Sequence, residues 1–174
     1  MFKLKYFILP FILLLSFTEL KATEFDAIED GKQFRRTKAG SPIYLEKRAA
    51  IVVENYGLKL KRSGFIICEF DGGKKVGYIT PTYKPQDKIV ELSWVFINEA
   101  DRGKGYSTEA LRTVEAICKY LKSKGLLAGC DYLYLTMGTD NAPMKKAAIT
   151  AGYEPTERIW SPPGLMFCYE KRIG

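Results

Sequence analysis

A single α/β domain is predicted by the order of periodicities along the chain, which runs strands, helix, strand, helix, strands. Three observations carry this reading. The turn Asp71-Gly72-Gly73-Lys74 separates two apolar runs, residues 65–70 and 76–80, as a hairpin turn does. Residues 107–122 place Ala110, Leu111, Val114, Ile117, Cys118 and Leu121 on one helical face. A strand at 132–137 and a short helix at 142–151 then repeat the alternation. The chain has 174 residues, enough for one well-formed core.

The elements follow in order. Lys3 and Lys5 precede an uncharged apolar run at residues 6–17, and Ala22 sits in a small-residue cleavage position. The run is shorter than the ~20 residues of a membrane-spanning helix. Residues 1–22 therefore read as a secretory signal peptide, with the domain at 23–174. Residues 43–56 carry helical spacing at Leu45, Ala49, Val52 and Val53. The strand at 76–80 is ended by Pro81 and Pro85. A third strand spans 89–97, and Gly125 stops the long helix. Gly152 ends the short one, and residues 159–169 form a last hairpin about Ser161-Pro162-Pro163-Gly164.

Composition removes several chemistries. The chain has no histidine, so Ser-His-Asp triads, Cys-His dyads and His-ligated metals are out. Cys68, Cys118, Cys130 and Cys168 form no Cys-x-x-Cys pair. They read as small buried hydrophobes, with three disulfide pairings open if the protein is exported. The formal charge is +7, which suits an anionic ligand or surface. Trp94 and Trp160 read as core or cleft wall, and the tyrosines form no RNA-binding motif, so no nucleic-acid partner is expected.

The stretch from Glu91 to Leu111 carries the chemistry. A strand enters Arg102-Gly103-Lys104-Gly105-Tyr106-Ser107 and a helix follows at once. The first amides of a helix lack partners and the helix dipole adds positive charge there. The two glycines let backbone approach a phosphate, while Arg102 and Lys104 add charge. The loop matches neither the P-loop nor the dinucleotide pattern, and two glycines also make an ordinary strand-to-helix turn.

The R-x-x-G-x-[GA] loop between strand and helix resembles the acetyl-CoA site of the GNAT N-acetyltransferase superfamily. Residues 102–111 are nearest the ribosomal-protein alanine acetyltransferase-like branch. Asn141, eleven residues before Gly152-Tyr153, is similar to the family's second motif. The resemblance covers residues 65–170 and implies a mixed, mostly antiparallel central sheet flanked by helices. It implies first helices within 23–64, a stretch that matches poorly. It also implies that acetyl-CoA is the co-substrate, without a metal. The backbone of Val95, Phe96 and Ile97 would pair with the pantetheine arm. Amides of Arg102, Gly103, Lys104, Gly105, Tyr106, Ser107 and Thr108 would hold the pyrophosphate, and Asn141 would contact the coenzyme. Ser107 stands where the family has Gly or Ala.

Acetylation of an amine needs a base, and without histidine a carboxylate or water must serve. Glu91 is the catalytic candidate. In a regular strand it shares a face with Ser93, Val95 and Ile97, and it lies eleven residues before Arg102, where some family members place their base. The family's thiolate-protonating tyrosine is replaced by Ala148, leaving water, Tyr106, Tyr132 or Tyr134. Three functions compete. The first is an N-acetyltransferase acting on a protein N-terminus, a lysine or a small-molecule amine. The second is a catalytically degenerate acyl-CoA-binding module. The third is a secreted basic protein on an anionic surface. Export is the expected location, with cytoplasmic residence as the alternative. Membrane contact is expected only through the signal segment.

Overall fold

The computed structural model describes residues 33–34, 42–55, 57–161 and 164–174. Their strands are β1 (Gln33–Phe34), β2 (Ile43–Asn55), β3 (Leu58–Glu69), β4 (Lys75–Lys84), β5 (Ile89–Ile97), β6 (Tyr132–Gly138), β7 (Glu154–Ser161) and β8 (Gly164–Arg172). A 3-10 turn at Glu99–Asp101 precedes helix α1 (Tyr106–Ser123), and α2 is Ala142–Thr150. The strands form one sheet in the order β1-β2-β3-β4-β5-β6-β8-β7. Every pairing is antiparallel except β5 with β6. This is the mixed, mostly antiparallel sheet with flanking helices expected from the sequence.

Both helices pack on one face of the sheet. Ala110, Leu111, Val114, Ile117, Cys118 and Leu121 of α1 are fully buried against Leu45, Phe65, Ile67, Ile79, Val90 and Leu133. Each Leu, Ile, Val or Phe among them contributes about 1.5–3 kcal/mol by leaving water. Gly125, at φ 75°, carries the chain away from α1 as expected. In α2, Asn141 Oδ1 accepts from the Met144 amide at 3.1 Å and caps the helix. Gly152, at φ 86°, closes it. The hairpin turn at 71–74 holds Gly72 and Gly73 at positive φ. All four cysteines are buried and unpaired.

Several expectations fail, two of them at bulges; Trp160, expected in the core or cleft wall, is 83% exposed. Residues 43–55 form strand β2, not a helix. One extra residue between Arg48 and Ile51 shifts the register against β3. Ile43 and Leu45 therefore face the helices, while Ile51 and Val53 are buried outside that core. A period-two pattern broken by a bulge imitates helical spacing. The described residues within 23–64 are strand or turn, so the helices implied there are not among them. Pro81 does not end β4, which continues to Lys84. It is buried beside the register shift of β5, where the ladder is already broken. The signal segment, residues 1–22, lies outside the described residues.

Candidate functional site

Strand β5 is irregular at its middle. Thr80 pairs with Trp94 and Pro81 with Leu92, so Ser93 is an extra residue. The parallel pairing of β5 with β6 runs from Ile89 with Tyr132 to Leu92 with Leu135 and stops there. Beyond it β5 continues along β4 and β6 along β8, leaving the seam between them open. Bulges of this kind re-aim side chains beside functional sites.

On the helix side the seam opens into a cavity of about 770 Å³. Val95, Phe96 and Ile97 give it one wall. Arg102, Gly103, Gly105, Tyr106, Ser107 and Thr108 give it a floor at the start of α1. Asn141 stands across from them at the start of α2. Ten of the eleven residues expected to hold a coenzyme thus meet at one cavity. Gly103 and Gly105 both have φ 80°, and a Cβ added to either would meet no atom within 4 Å. The backbone conformation demands glycine here, and the missing side chains leave the loop bare. Gly105 is the N-cap of α1 and no side chain caps the helix. The amides of Tyr106, Ser107 and Thr108 lie within the first turn, where intrahelical partners are lacking.

Lys104 is the exception among the expected residues. Its ammonium lies 3.0 Å from Asp101 Oδ1 and 3.8 Å from Glu69 Oε1, and it does not line the cavity. Two carboxylates hold it away from the place where it was expected to add charge. Asp101 is buried and also takes Lys74 Nζ at 2.5 Å. The hydrogen bonds from Lys74 and Lys104 hold its carboxyl below the usual carboxylate range. Arg102 Nε donates to the Ile97 carbonyl at 3.3 Å, fixing the loop to the end of β5. Lys146 also lines the cavity, and Pro143, Lys146, Ala147 and Thr150 form a helical stripe along it. That i, i+3, i+4, i+7 spacing was readable in the sequence, but nothing marked it as a ligand face.

Glu91 lies elsewhere. Its partner is Thr82, in line with Thr80 and Tyr78, which pair with Trp94 and Phe96. The bulge at Ser93 reverses the alternation, so Glu91 shares a face with Trp94 and Phe96, not with Val95 and Ile97. It is half-buried and its Oε2 is 2.6 Å from Lys84 Nζ, on a face other than the one expected for it. It stands on the sheet face opposite the helices, one residue before pairing with β6 ends.

The tyrosines divide clearly. Tyr134 is the register partner of Glu91, and its hydroxyl is 3.5 Å from Glu157 Oε1. Burial, then Cys168 and nearby Glu157 and Glu170, push its phenol upward, so it stays protonated. Tyr106 donates to Glu69 Oε1 at 2.5 Å, and that bond raises its phenol. Tyr132 is exposed at the closed end of the seam. Ala148 is fully buried in the core. Glu154 and Glu170 pair across β7 and β8, and Glu170 pairs with Tyr134 across β8 and β6. Among the described residues Glu154, Glu157 and Glu170 make no ion pair.

Comparison with known proteins gives a family. A family model described as an acetyltransferase (GNAT) domain matches residues 14–154. No curated protein sequence matches the chain. Among solved structures it is similar to a GNAT-family acetyltransferase from Bacillus anthracis, with 18% identity and a TM-score of 0.52 over 63% of this chain and 65% of that one. It is similar to an acetyltransferase from Salmonella typhimurium that modifies the N-terminal serine of a 50S ribosomal-subunit protein, with 11% identity and a TM-score of 0.53 over 64% of each chain. It is also similar to the microcin C7 self-immunity acetyltransferase in complex with acetyl-CoA and AMP, with 15% identity and a TM-score of 0.51 over 63% of this chain and 59% of that one. At these identities the likeness is one of fold, and the chain spans less than two thirds of the length of each.

Proposed function

The chain belongs to the GNAT acetyltransferase family, and on that premise we propose that it transfers an acetyl group from acetyl-CoA to a primary amine. The observation that carries this is the cavity on the helix side of an open seam, floored by a glycine loop and an uncapped helix start. The pyrophosphate takes the amides of the loop and first turn, with Arg102 beside it. The pantetheine arm pairs with the unpaired edge of β5 at Val95, Phe96 and Ile97. That places the thioester in the seam, with Glu91 one strand residue away on the other face.

The acceptor approaches from the Glu91 face. Glu154, Glu157 and Glu170 place carboxylates beside Tyr134 on that face, with Lys84 and Arg172 at its edges, and the carboxylates offer an approaching ammonium a partner. Glu91 takes the amine proton, directly or through a water. The amine nitrogen attacks the carbonyl carbon, the C–N bond forms, the C–S bond breaks, and the thiolate takes up a proton. Tyr134 stands beside Glu91, but burial and the nearby carboxylates raise its phenol and make it a poor acid, so water is the donor. The acceptor is a protein N-terminus, a lysine or a small-molecule amine; similarity to the ribosomal-protein enzyme supports the first.

One observation favours a second reading. Ala148 supplies only a methyl group where the resemblance expects a proton donor, and a binding module without turnover would look the same. Titration of acetyl-CoA into the full chain by calorimetry tests the common ground. Binding near micromolar, about −8 kcal/mol, supports a coenzyme site, and no binding at millimolar coenzyme overturns it and leaves the anionic-surface reading. Acetylated product from an amine panel then separates enzyme from module. For location, the proposal is export if the chain is cleaved after Ala22 and a cytoplasmic protein otherwise. Intact residues 1–22 on cytosolic protein would overturn export.

A further inference from the structure

We propose that Asp101 and Lys104 are positioning residues, which with Lys74 and Glu69 hold the glycine loop in its anion-binding shape; Lys104 does not line the cavity, and Asp101 lines it with its carboxylate bound to the two lysines. This rests on the reading of the cavity as a coenzyme site. The ties span the loop. Asp101 to Lys104, at 3.0 Å, closes across Arg102 and Gly103. Lys74 to Asp101, at 2.5 Å, fastens the near end to the turn between β3 and β4. Tyr106 to Glu69, also at 2.5 Å, fastens the far end to the close of β3. Lys104 to Glu69, at 3.8 Å, joins the two sets.

Burial gives these ties a direction. The Asp101 side chain is 2% exposed, whereas Lys74 and Lys104 are 54% and 46% exposed. The lysines reach in from the rim to a carboxylate that has left water. An unpaired carboxylate in that position would be costly, so both ammoniums are committed to it. The loop itself has little stiffness, since Gly103 and Gly105 resist few backbone conformations. Its order comes from these charge ties, together with the Arg102 Nε bond to the Ile97 carbonyl. Lys104, the cation that the sequence placed on the phosphate, is spent on the scaffold, and Arg102 with the amides remains for the ligand.

The sign of one substitution separates positioning from electrostatics. If these charges acted only through their field, Asp101→Asn would remove a negative charge beside the pyrophosphate and tighten binding. If they position the loop, Asp101→Asn weakens it. The test titrates coenzyme A into the full chain and into Asp101→Asn, Lys104→Met and the double variant, at several salt concentrations. Expected is about a tenfold weakening for each single variant, equivalent to ~1.4 kcal/mol, with the double variant no worse than the weaker single. The salt dependence of Lys104→Met should match that of the unmodified chain, because no phosphate contact is lost. In turnover, KM for acetyl-CoA should rise while kcat holds. Binding by Asp101→Asn that is equal or tighter, additive losses, or a flattened salt dependence in Lys104→Met would each overturn the positioning role. If Asp101→Asn does not fold by circular dichroism, Lys104→Met and Lys74→Met carry the test from the exposed side, and unchanged affinity in both overturns it. Failure of the unmodified chain to bind sinks the coenzyme reading itself, and this inference with it.

Discussion

The two sides of the seam between β5 and β6 are built differently. On the helix side, most of the cavity wall falls within one segment of the chain, between Val95 and Thr108. Its shape depends on local dihedrals, two glycines at φ 80° and an uncapped helix start. On the other side, Glu91, Tyr134, Glu170 and Glu154 come from four strands and meet only through register. A one-residue slip would turn the second site inside out, while the glycine loop and helix start of the first would keep their local shape. The loop on the coenzyme side is therefore set by local conformation and by its ties to Lys74 and Glu69, and the acceptor side carries the greater sensitivity to register.

The largest effect should come from the acceptor side. Glu91→Gln keeps the shape of the side chain and removes the base. Turnover should fall about 100-fold or more, within the range of general-base catalysis, while coenzyme affinity stays within about twofold. Steady-state kinetics with calorimetry on the same sample would show it. Retained turnover would move the base elsewhere and break the contrast between the two sides.

Gly105→Ala is the matching change on the coenzyme side. An added Cβ meets nothing, so the entire cost is the left-handed backbone. That cost is about 1–2 kcal/mol, so coenzyme affinity should drop about tenfold or more with little loss of folding cooperativity. Gly105→Asn should lose less, because asparagine tolerates that region better. Equal losses for both would point to the side chain rather than to φ.

The same contrast explains what could be read without coordinates. The hairpin at 71–74, helix α1, strand β5 and the loop were legible because each signal is local, whether in turn glycines, a 3.6-residue period or an amide-rich helix start. The faces of β2 and β5 were not. Alternation was carried through Ser93 and placed Glu91 with Val95 and Ile97, while the bulge between Arg48 and Ile51 made a strand look helical. Nothing in a strand's own residues announces a bulge, because the extra residue is defined by its partner. The tie from Lys74 to Asp101 was invisible for the same reason, since it joins residues 27 apart.

A smaller effect should appear in acid. Lys74 and Lys104 lower the Asp101 carboxyl, so the folded state favours its ionised form. Its stabilisation is fully present above the ordinary aspartate value of about 4 and is lost as pH falls through the lowered native value. Thermal unfolding from pH 2.5 to 7 should show a shallower acid limb in Asp101→Asn than in the unmodified chain. Because both lysines are exposed at the rim, added salt should shrink the difference. An unchanged acid limb would mean that the two ammoniums bring no net stabilisation.

The smallest effect belongs to neither face of the seam and calibrates the others. Tyr153, the aromatic residue after Gly152, is 3% exposed, and its hydroxyl has no hydrogen-bond partner among the described residues. Burial keeps the phenol neutral, while Lys171 sits over the ring at 5.9 Å. An unsatisfied buried hydroxyl costs about 1–3 kcal/mol, and the void left by one oxygen returns part of that. Tyr153→Phe should therefore gain about 1 kcal/mol, or about 2–4 °C in Tm for a chain of this size. Coenzyme affinity and turnover should not move, because the ring lies in the core behind the cavity wall. If instead Tyr153→Phe destabilises the protein, the hydroxyl has a partner such as a buried water. If it changes coenzyme affinity, packing behind α1 reaches the loop and the coenzyme side is less self-contained than its local conformation implies.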